Sequence, residues 1–317
     1  STSERKTTRL QALIKRPEPL IVPGGFSPYL ARIAQEAGFE AFFLAGSQTA
    51  GFLYGLPDVG IIALRDMVDH ARHMAARCDI PIFADADTGY GNAVGVHFTV
   101  QEYIRAGVAG IHIEDQEAPK RSGIFAGRRC ISTEEAIGKY KAAVAAKQEL
   151  DADFVICARC DVIGAEGGTF DEAVRRAIAY VEEAHVDMVW MNSMHTRDEI
   201  GDVCRRIPGP VMTSYYGEPP TPNLEEWRSM GVAAAIFPAC AAGAAGQAAW
   251  EFLHELKQHG PAALDAWRTA AQASRWGMVK QSALLGEPAV RELEGRFLPP
   301  ENQRDYEGTF GHGSHSG

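Results

Sequence analysis

Short, nearly continuous apolar runs rich in β-branched residues recur at 20–23, 41–45, 81–85, 109–113, 154–158, 187–191, 210–214 and 233–237. None shows the polar alternation of a strand with one wet face, so each is predicted to be a parallel strand buried on both sides. The segments between them have helical spacing: PYLARIAQEAG, ALRDMVDHARHMAARC, VHFTVQEYIRAG, TEEAIGKYKAAVAAKQEL, TFDEAVRRAIAYVEEA, TRDEIGDVCRRI, NLEEWRSMG and GQAAWEFLHELKQHG. Several open on Ser, Thr, Asp or Asn followed by acidic residues, and several close on glycine, as helix termini prefer. Eight strand–helix units in strict alternation predict an α/β fold, a (β/α)8 TIM barrel. A doubly wound parallel sheet is the competing arrangement, and periodicity alone does not separate the two.

Helical patterns continue over roughly residues 262–285 and 287–297, and the chain ends in the polar stretch ENQRDYEGTFGHGSHSG. A barrel of this kind uses about 250 residues as one domain. Residues 1–300 therefore read as a single barrel domain with surplus C-terminal helices, expected to pack on a neighbouring subunit. Residues 301–317 read as a flexible tail in which His312 and His315 are not ligands.

With 46% hydrophobic and 23% charged residues, the chain has the make-up of a soluble globular protein. Its net charge of −10 gives no electrostatic reason to bind nucleic acid or an anionic membrane. A small-molecule partner is expected. The six cysteines are scattered and read as reduced thiols. No leader-like apolar segment and no stretch of about 20 apolar residues is present, so a cytoplasmic enzyme is expected.

In a parallel barrel the active site lies where the strands end, because the βα loops converge there. The third run, PIFADADTGYGN, delivers Asp85 and Asp87 into a glycine-rich turn. Residues at i and i+2 of an extended chain point the same way, so both carboxylates are expected to face one site. Two such groups repel unless a cation or a proton lies between them, and hard oxygen donors favour Mg²⁺, with Mn²⁺ close behind. A helix cap is the alternative role for either aspartate. The fourth run, GIHIEDQ, adds Glu114 as a further metal ligand, direct or through water, and an inward His112 that is either a core residue or a substrate contact. The fifth ends in CARCD, where Arg159 is costly to bury without an anion and has the fork to grip a carboxylate.

The segments FFLAGS, LPDVG, FADADTGYGN, AGVAGIHIEDQ, PKRSG and ICARCD, in this order and spacing, resemble the isocitrate lyase and phosphoenolpyruvate mutase superfamily, especially its methylisocitrate lyase-like branch. The similarity spans roughly residues 10–290. It implies a barrel whose last helix is exchanged between paired subunits, in a homotetramer built as a dimer of dimers. It also implies Mg²⁺ held largely through water at Asp85, Asp87 and Glu114, with Asp58 nearby. The backbone of Gly46 and Ser47 would hold a substrate carboxylate, and Arg159 would face the 2-oxo or enolate end.

Departures from the pattern fix how much of the chemistry carries over. Where the lyases read lysine, lysine or arginine, cysteine, glycine, histidine after the fourth strand, this chain reads Lys120, Arg121, Ser122, Gly123, Ile124. A serine hydroxyl, with its far higher pKa, replaces the thiol acid poorly. The tyrosine position of the second strand is Phe43, the sixth-strand glutamate is Asn192, and the seventh-strand asparagine is Ser214. Tyr215 or Tyr216 is a candidate to supply the phenol that Phe43 lacks, and Thr221 to bind a distal carboxylate.

The sequence thus points to a Mg²⁺-dependent carbon–carbon lyase on a small 2-hydroxy or 2-oxo di- or tricarboxylate, working by retro-aldol cleavage or decarboxylation through an enolate. Arg159 is the oxyanion residue. Lys120, Ser122 and His112 are candidates for proton handling or loop closure, and Phe43, Gly46, Ser47, Asp58, Gly123, Asn192, Ser214 and Thr221 are expected around the substrate. Residues 119–130 form a glycine-bearing basic loop expected to act as a lid. Carbon–phosphorus chemistry, as in a phosphonomutase or phosphonopyruvate hydrolase, and a non-catalytic binding barrel are the competing functions.

Overall fold

Eight parallel strands close on themselves in chain order: β1 (Leu20–Gly25), β2 (Phe42–Leu44), β3 (Ile82–Asp85), β4 (Gly110–Glu114), β5 (Val155–Cys160), β6 (Met188–Met194), β7 (Val211–Tyr215) and β8 (Ala234–Phe237). The last pairs with the first, Leu20 opposite Ala234 and Val22 opposite Ile236. The protein is described here by a computed structural model covering residues 4–309 and Gly311, in two compact units, one up to Trp250 and one from Glu251 onward. His312 and His315 lie outside the described residues. The closed ring establishes the (β/α)8 barrel and removes the doubly wound alternative.

The pleat sorts every strand into two apolar faces. Phe43, Phe83, Val155, Cys157, Trp190, Met212 and Ile236 fill the barrel interior. Phe42, Leu44, Ile82, Ile111, Ile113, Ile156 and Val189 turn outward beneath the helices. That double burial is why the runs lack polar alternation.

The helices of the first unit are α1 (Lys6–Lys15), α2 (Pro28–Glu36), a short α3 (Gly46–Gln48), α4 (Leu64–Arg77), α5 (Ala93–Ala106), α6 (Thr133–Leu150), α7 (Phe170–Glu182), α8 (Arg197–Arg206) and α9 (Leu224–Ser229), and α10 (Cys240–His259) runs on into the second. Their starts follow the sequence signals. Ser27, Asn92, Ser132, Thr169, Thr196 and Asn223 each accept an N–H of the first turn, and Glu199 and Glu226 complete capping boxes. Helix α5 ends at Gly107, whose φ of 87° needs glycine.

Three features differ from the pattern-based expectation. Residues 6–15, polar and basic in composition, form α1, which turns Leu10, Leu13 and Ile14 into the bottom of the barrel. Its polar side holds on through Gln11 to Asp187 at 2.7 Å and Thr7 to Asp151 at 2.9 Å. Strand β6 extends to Met194 with an irregular register between Met191 and Met194, where Ser193 takes φ 62°. In the second unit, the stretch expected to be one helix is two, α11 (Ala262–Gln272) and α12 (Gln281–Leu285), parted at Gly277 with φ 71°, and α13 (Glu287–Phe297) follows.

Phe42 is fully buried between barrel and helices, whereas Val94 is 67% exposed. Phe42→Ala is expected to lower unfolding free energy by about 3–5 kcal/mol, and Val94→Ala by less than about 0.5 kcal/mol. Urea titration of both variants checks this.

Candidate active site

The interior pleat that carries Phe83 inward brings Asp85 to the mouth of the barrel two residues later, and the same alternation on β4 presents His112 and then Glu114. Asp85 is gripped on both oxygens. The Gly46 N–H donates to its Oδ2 at 3.0 Å and the Asp87 N–H to its Oδ1 at 2.8 Å, while His112 Nε2 stands 3.4 Å from Oδ1. A Cβ on residue 46 would lie 2.5 Å from Asp85 Oδ2, so glycine is required for this approach. The Tyr103 hydroxyl donates to the Asp85 carbonyl at 2.8 Å and steadies the strand end.

Two cations face these acids. Lys120 Nζ lies 2.7 Å from Asp58, 3.4 Å from Asp87 and 3.9 Å from Glu114. Arg159 on β5 reaches Glu114 through Nη1 and Asp161 through Nη2, both at 2.9 Å, with its guanidinium 4.7 Å from the centre of the Trp190 ring. Asn192 donates to the same Asp161 oxygen at 2.6 Å, and Gln116 donates to Glu114 at 3.1 Å.

Burial sets the charge states. It drives the Glu114 carboxyl well above the ordinary range despite Arg159 and Lys120. It pushes Asp87 up to about 6, against Lys120 and with added repulsion from Asp85 and Asp58. Asp85 is equally buried, yet its neighbours outweigh that cost and hold it well below the ordinary carboxylate range. Of these neighbours His112 acts most, followed by Lys120 and the Asp87 amide, while burial lowers His112 in turn. Burial opposes the Lys120 charge, but four surrounding carboxylates raise its pKa far past the usual value, so it stays cationic.

The donor set suits a hard divalent cation. Asp85, His112 and Glu114 offer atoms within 4.8 Å of one another. Asp87 Oδ1 and Glu114 Oε1 are buried without a well-directed hydrogen bond, because their contacts with Lys120 and Arg159 are off the hydrogen-bonding geometry. Buried oxygens left without such a bond beside Asp85 fit Mg²⁺ or Mn²⁺, whose charge would favour their ionised forms.

Beside this cluster lies a cavity of about 380 Å³, lined by Phe43, Ser47, Asp58, Asp85, Lys120, Ser122, Gly123, Arg159 and Asn192 among the residues expected from the sequence. Residues 119–125 sit down on it. The Ser122 N–H bonds Asp58 O at 3.2 Å, the Gly123 carbonyl receives Arg128, and a Cβ on Gly123 would lie 2.9 Å from Asn192 Nδ2.

Four expectations need correcting in detail. Asp87 reaches the site from a left-handed turn with φ 53°, not by strand alternation, because β3 stops at Asp85. The Gly46 amide is taken by Asp85, which removes it as a substrate donor here. Ser214 donates to the Ile236 carbonyl at 2.8 Å and does not line the cavity. Thr221 is exposed beyond β7 and does not line it either. Of the two tyrosines, Tyr216 borders the cavity while Tyr215 donates to the Glu218 carbonyl. Asp161, Trp190 and Gln116 went unremarked in the sequence. Asp161 follows directly on the end of β5, in the same CARCD segment that carries Arg159, which is the signal that could have found it.

Residues 10–257 match the family profile described as phosphoenolpyruvate phosphomutase. The chain is 35% identical over 259 residues to a 2-methylisocitrate lyase of Aeropyrum pernix, covering 81% of this chain and 82% of that one. It is 32% identical over 293 residues to a 2,3-dimethylmalate lyase of Eubacterium barkeri, covering 91% and 97%. Among solved structures, an oxaloacetate acetylhydrolase bound to 3,3-difluorooxalacetate superposes with a TM-score of 0.81 at 29% identity, covering 92% and 96%. A phosphonopyruvate hydrolase with oxalate and Mg²⁺ gives 0.78 at 31%, covering 93% and 100%. Agreement with the profile over most of the chain, and with relatives above 30% identity over 82% and 97% of their lengths, makes this protein a member of the phosphoenolpyruvate mutase and isocitrate lyase superfamily.

Proposed function

We propose that this protein is a Mg²⁺-dependent carbon–carbon lyase that cleaves a small 2-hydroxy or 2-oxo carboxylate through an enolate. The observation that carries the reading is the meeting of Asp85, Glu114, Lys120 and Arg159 at the mouth of the barrel, beside a cavity sized for a small acid. Asp85, Asp87 and Glu114 would hold the cation, with Mn²⁺ as a substitute. Bound there, the cation supplies Lewis-acid stabilisation of negative charge developing on the oxyacid.

The side chains divide the remaining work. Arg159, held by Glu114, Asp161 and Trp190, supplies a fixed positive charge beside the carboxylate or enolate oxygen, so little reorganisation is needed as charge develops. Lys120 keeps its proton and acts as a fixed positive charge, not as a base. Ser122, over the cavity on the 119–125 segment, orients the substrate through its hydroxyl and excludes water. His112 is packed edge-on to Trp190 at 4.9 Å and supports Asp85 from below.

The same reading includes a homotetramer with helix exchange and a cytoplasmic location. Trp267, Trp276, Leu293 and Phe297 in the second unit are exposed apolar side chains of the kind a partner subunit covers. The cysteines are free, and among the described residues no helix is long and apolar enough to cross a membrane.

Assay of 2,3-dimethylmalate, oxaloacetate and phosphonopyruvate in parallel, with and without EDTA, tests the reading. Cleavage of a carbon–carbon substrate that is lost on chelation and restored by Mg²⁺ is expected. Turnover of phosphonopyruvate alone would instead establish carbon–phosphorus chemistry, and full activity after chelation would refute the metal assignment. Asp85→Asn and Arg159→Lys are each expected to lower kcat/KM by about 10²–10³-fold, measured in the same assay.

Asp87 gives the pH dependence. Its folded-state pKa of about 6 lies above the unfolded value of 3.8, so its contribution to stability is present at low pH and lost as pH rises from about 4 through 6. A divalent cation binds the ionised form and offsets that loss. Thermal unfolding is therefore expected to show a larger Mg²⁺-induced rise in Tm at pH 8 than at pH 5, and equal increments would contradict the role of these acids.

A further inference from the structure

Between Arg121 and Cys130 only Ser122 and Arg128 are buried, and the rest of the stretch is exposed or half-buried. Ser122 lines the cavity, whereas Arg128 does not. Arg128 is 4% exposed and, unlike Lys120 and Arg159, forms no ion pair with a carboxylate among the described residues. A guanidinium cannot shed its proton to escape burial, so one without a counter-charge is costly to keep there unless its donors are used.

Those donors join three loops. Nη1 donates to the Gly123 carbonyl in the segment after β4. Nη2 donates to the Ile163 carbonyl after β5 at 2.6 Å and to Ser193 Oγ at 3.3 Å, where β6 loses its register. Gly164, at φ 81°, makes room, since a Cβ there would lie 2.7 Å from Nη2. The backbone on the Arg128 side is fixed: its carbonyl accepts the Glu166 N–H at 2.9 Å, and Cys130 bridges antiparallel to Gln116. The tip of the segment is held far less. Among the described residues, 123–127 make two hydrogen bonds, the Phe125 N–H to the Ser122 carbonyl and the one Gly123 receives from Arg128. Gly123 in turn lies so close to the site that a Cβ on it would stand 2.9 Å from Asn192 Nδ2 and 3.1 Å from Arg159 Nη2.

We infer that Arg128 is a positioning residue for the reaction: through the Gly123 carbonyl its guanidinium clasps residues 122–125 down over the cavity, and so holds the Ser122 hydroxyl toward the bound acid. The clasp goes beyond the lyase reading, and only its kinetic consequence rests on that reading.

Chymotrypsin digestion of the native full-length protein, with the cut after Phe125 identified by fragment mass, reads how often the segment lifts. Losing one hydrogen bond from a charged donor is worth about tenfold in such a local equilibrium, so Arg128→Met is expected to speed this cut by about tenfold or more. Arg129→Met, which removes the neighbouring exposed cation, is expected to leave it within about twofold. Ser193→Ala takes away one acceptor and leaves the arginine, so it is expected to speed the cut by a smaller factor, and it decides the matter should Arg128→Met fail to fold. In the lyase assay, a mere loss of folded enzyme would lower kcat and leave KM alone. A lifted segment is expected to lower kcat and raise KM together, with kcat/KM of Arg128→Met down by about 10–10²-fold. An unchanged cut after Phe125, cuts speeded equally throughout the barrel, or a KM that does not move would overturn the clasp and leave the lyase reading standing. A faster cut after Phe125 alongside an unaltered protein that cleaves no carbon–carbon substrate would keep the clasp and overturn the lyase reading.

Discussion

The site is organised by the repulsion among five acids, Asp58, Asp85, Asp87, Glu114 and Asp161, and by the two cations that offset it. Buried like charges are expensive in a medium that screens them poorly, and Lys120 and Arg159 answer for them by each touching more than one. Neither cation is interchangeable with a neutral group, because removing one leaves carboxylates buried without a partner. The balance is also incomplete: five acids face two permanent positive charges, and burial raises Glu114 and Asp87 in consequence. A divalent cation is the simplest addition that lets all of them ionise together.

The barrel makes that balance rigid. Asp85, Glu114, Arg159 and Asn192 stand at the ends of four successive strands, each on the inward face because the residue two positions earlier packs in the interior. Beneath them, Phe43, Phe83, His112 and Trp190 form an aromatic floor that excludes water from the lower side of the cluster. Below that, α1 closes the bottom with Leu10, Leu13 and Ile14. A charged layer on a dry floor leaves one route for solvent and substrate, through the mouth between the βα loops.

Much of this was legible in the chain because two periodicities carry it. Continuous apolar runs marked all eight strands, and the i, i+2 alternation on β4 and β5 put Glu114 and Arg159 at the mouth. What the pattern missed lies where the backbone departs from regular geometry or where a partner is distant in sequence. The left-handed turn at Asp87 cannot be read from composition, and the path of its carboxylate depends on it. The Gly46 amide looked available because nothing local shows that Asp85, 39 residues away, takes it. Ser214 and Thr221 were placed by likeness to relatives, but one hydroxyl is satisfied by the adjacent strand and the other residue is on the surface. Helix α1 was obscured by its charged residues, although Leu10, Leu13 and Ile14 have the spacing of one helical face.

The central claim is that a divalent ion sits among these acids and faces Arg159 across the substrate. Anomalous diffraction from crystals grown with Mn²⁺ and oxalate tests it most directly. The expected result is a single strong peak beside the carboxylates of Asp85 and Glu114, with oxalate between it and the Arg159 guanidinium. A peak elsewhere, or oxalate bound there with no ion beside it, would contradict the account.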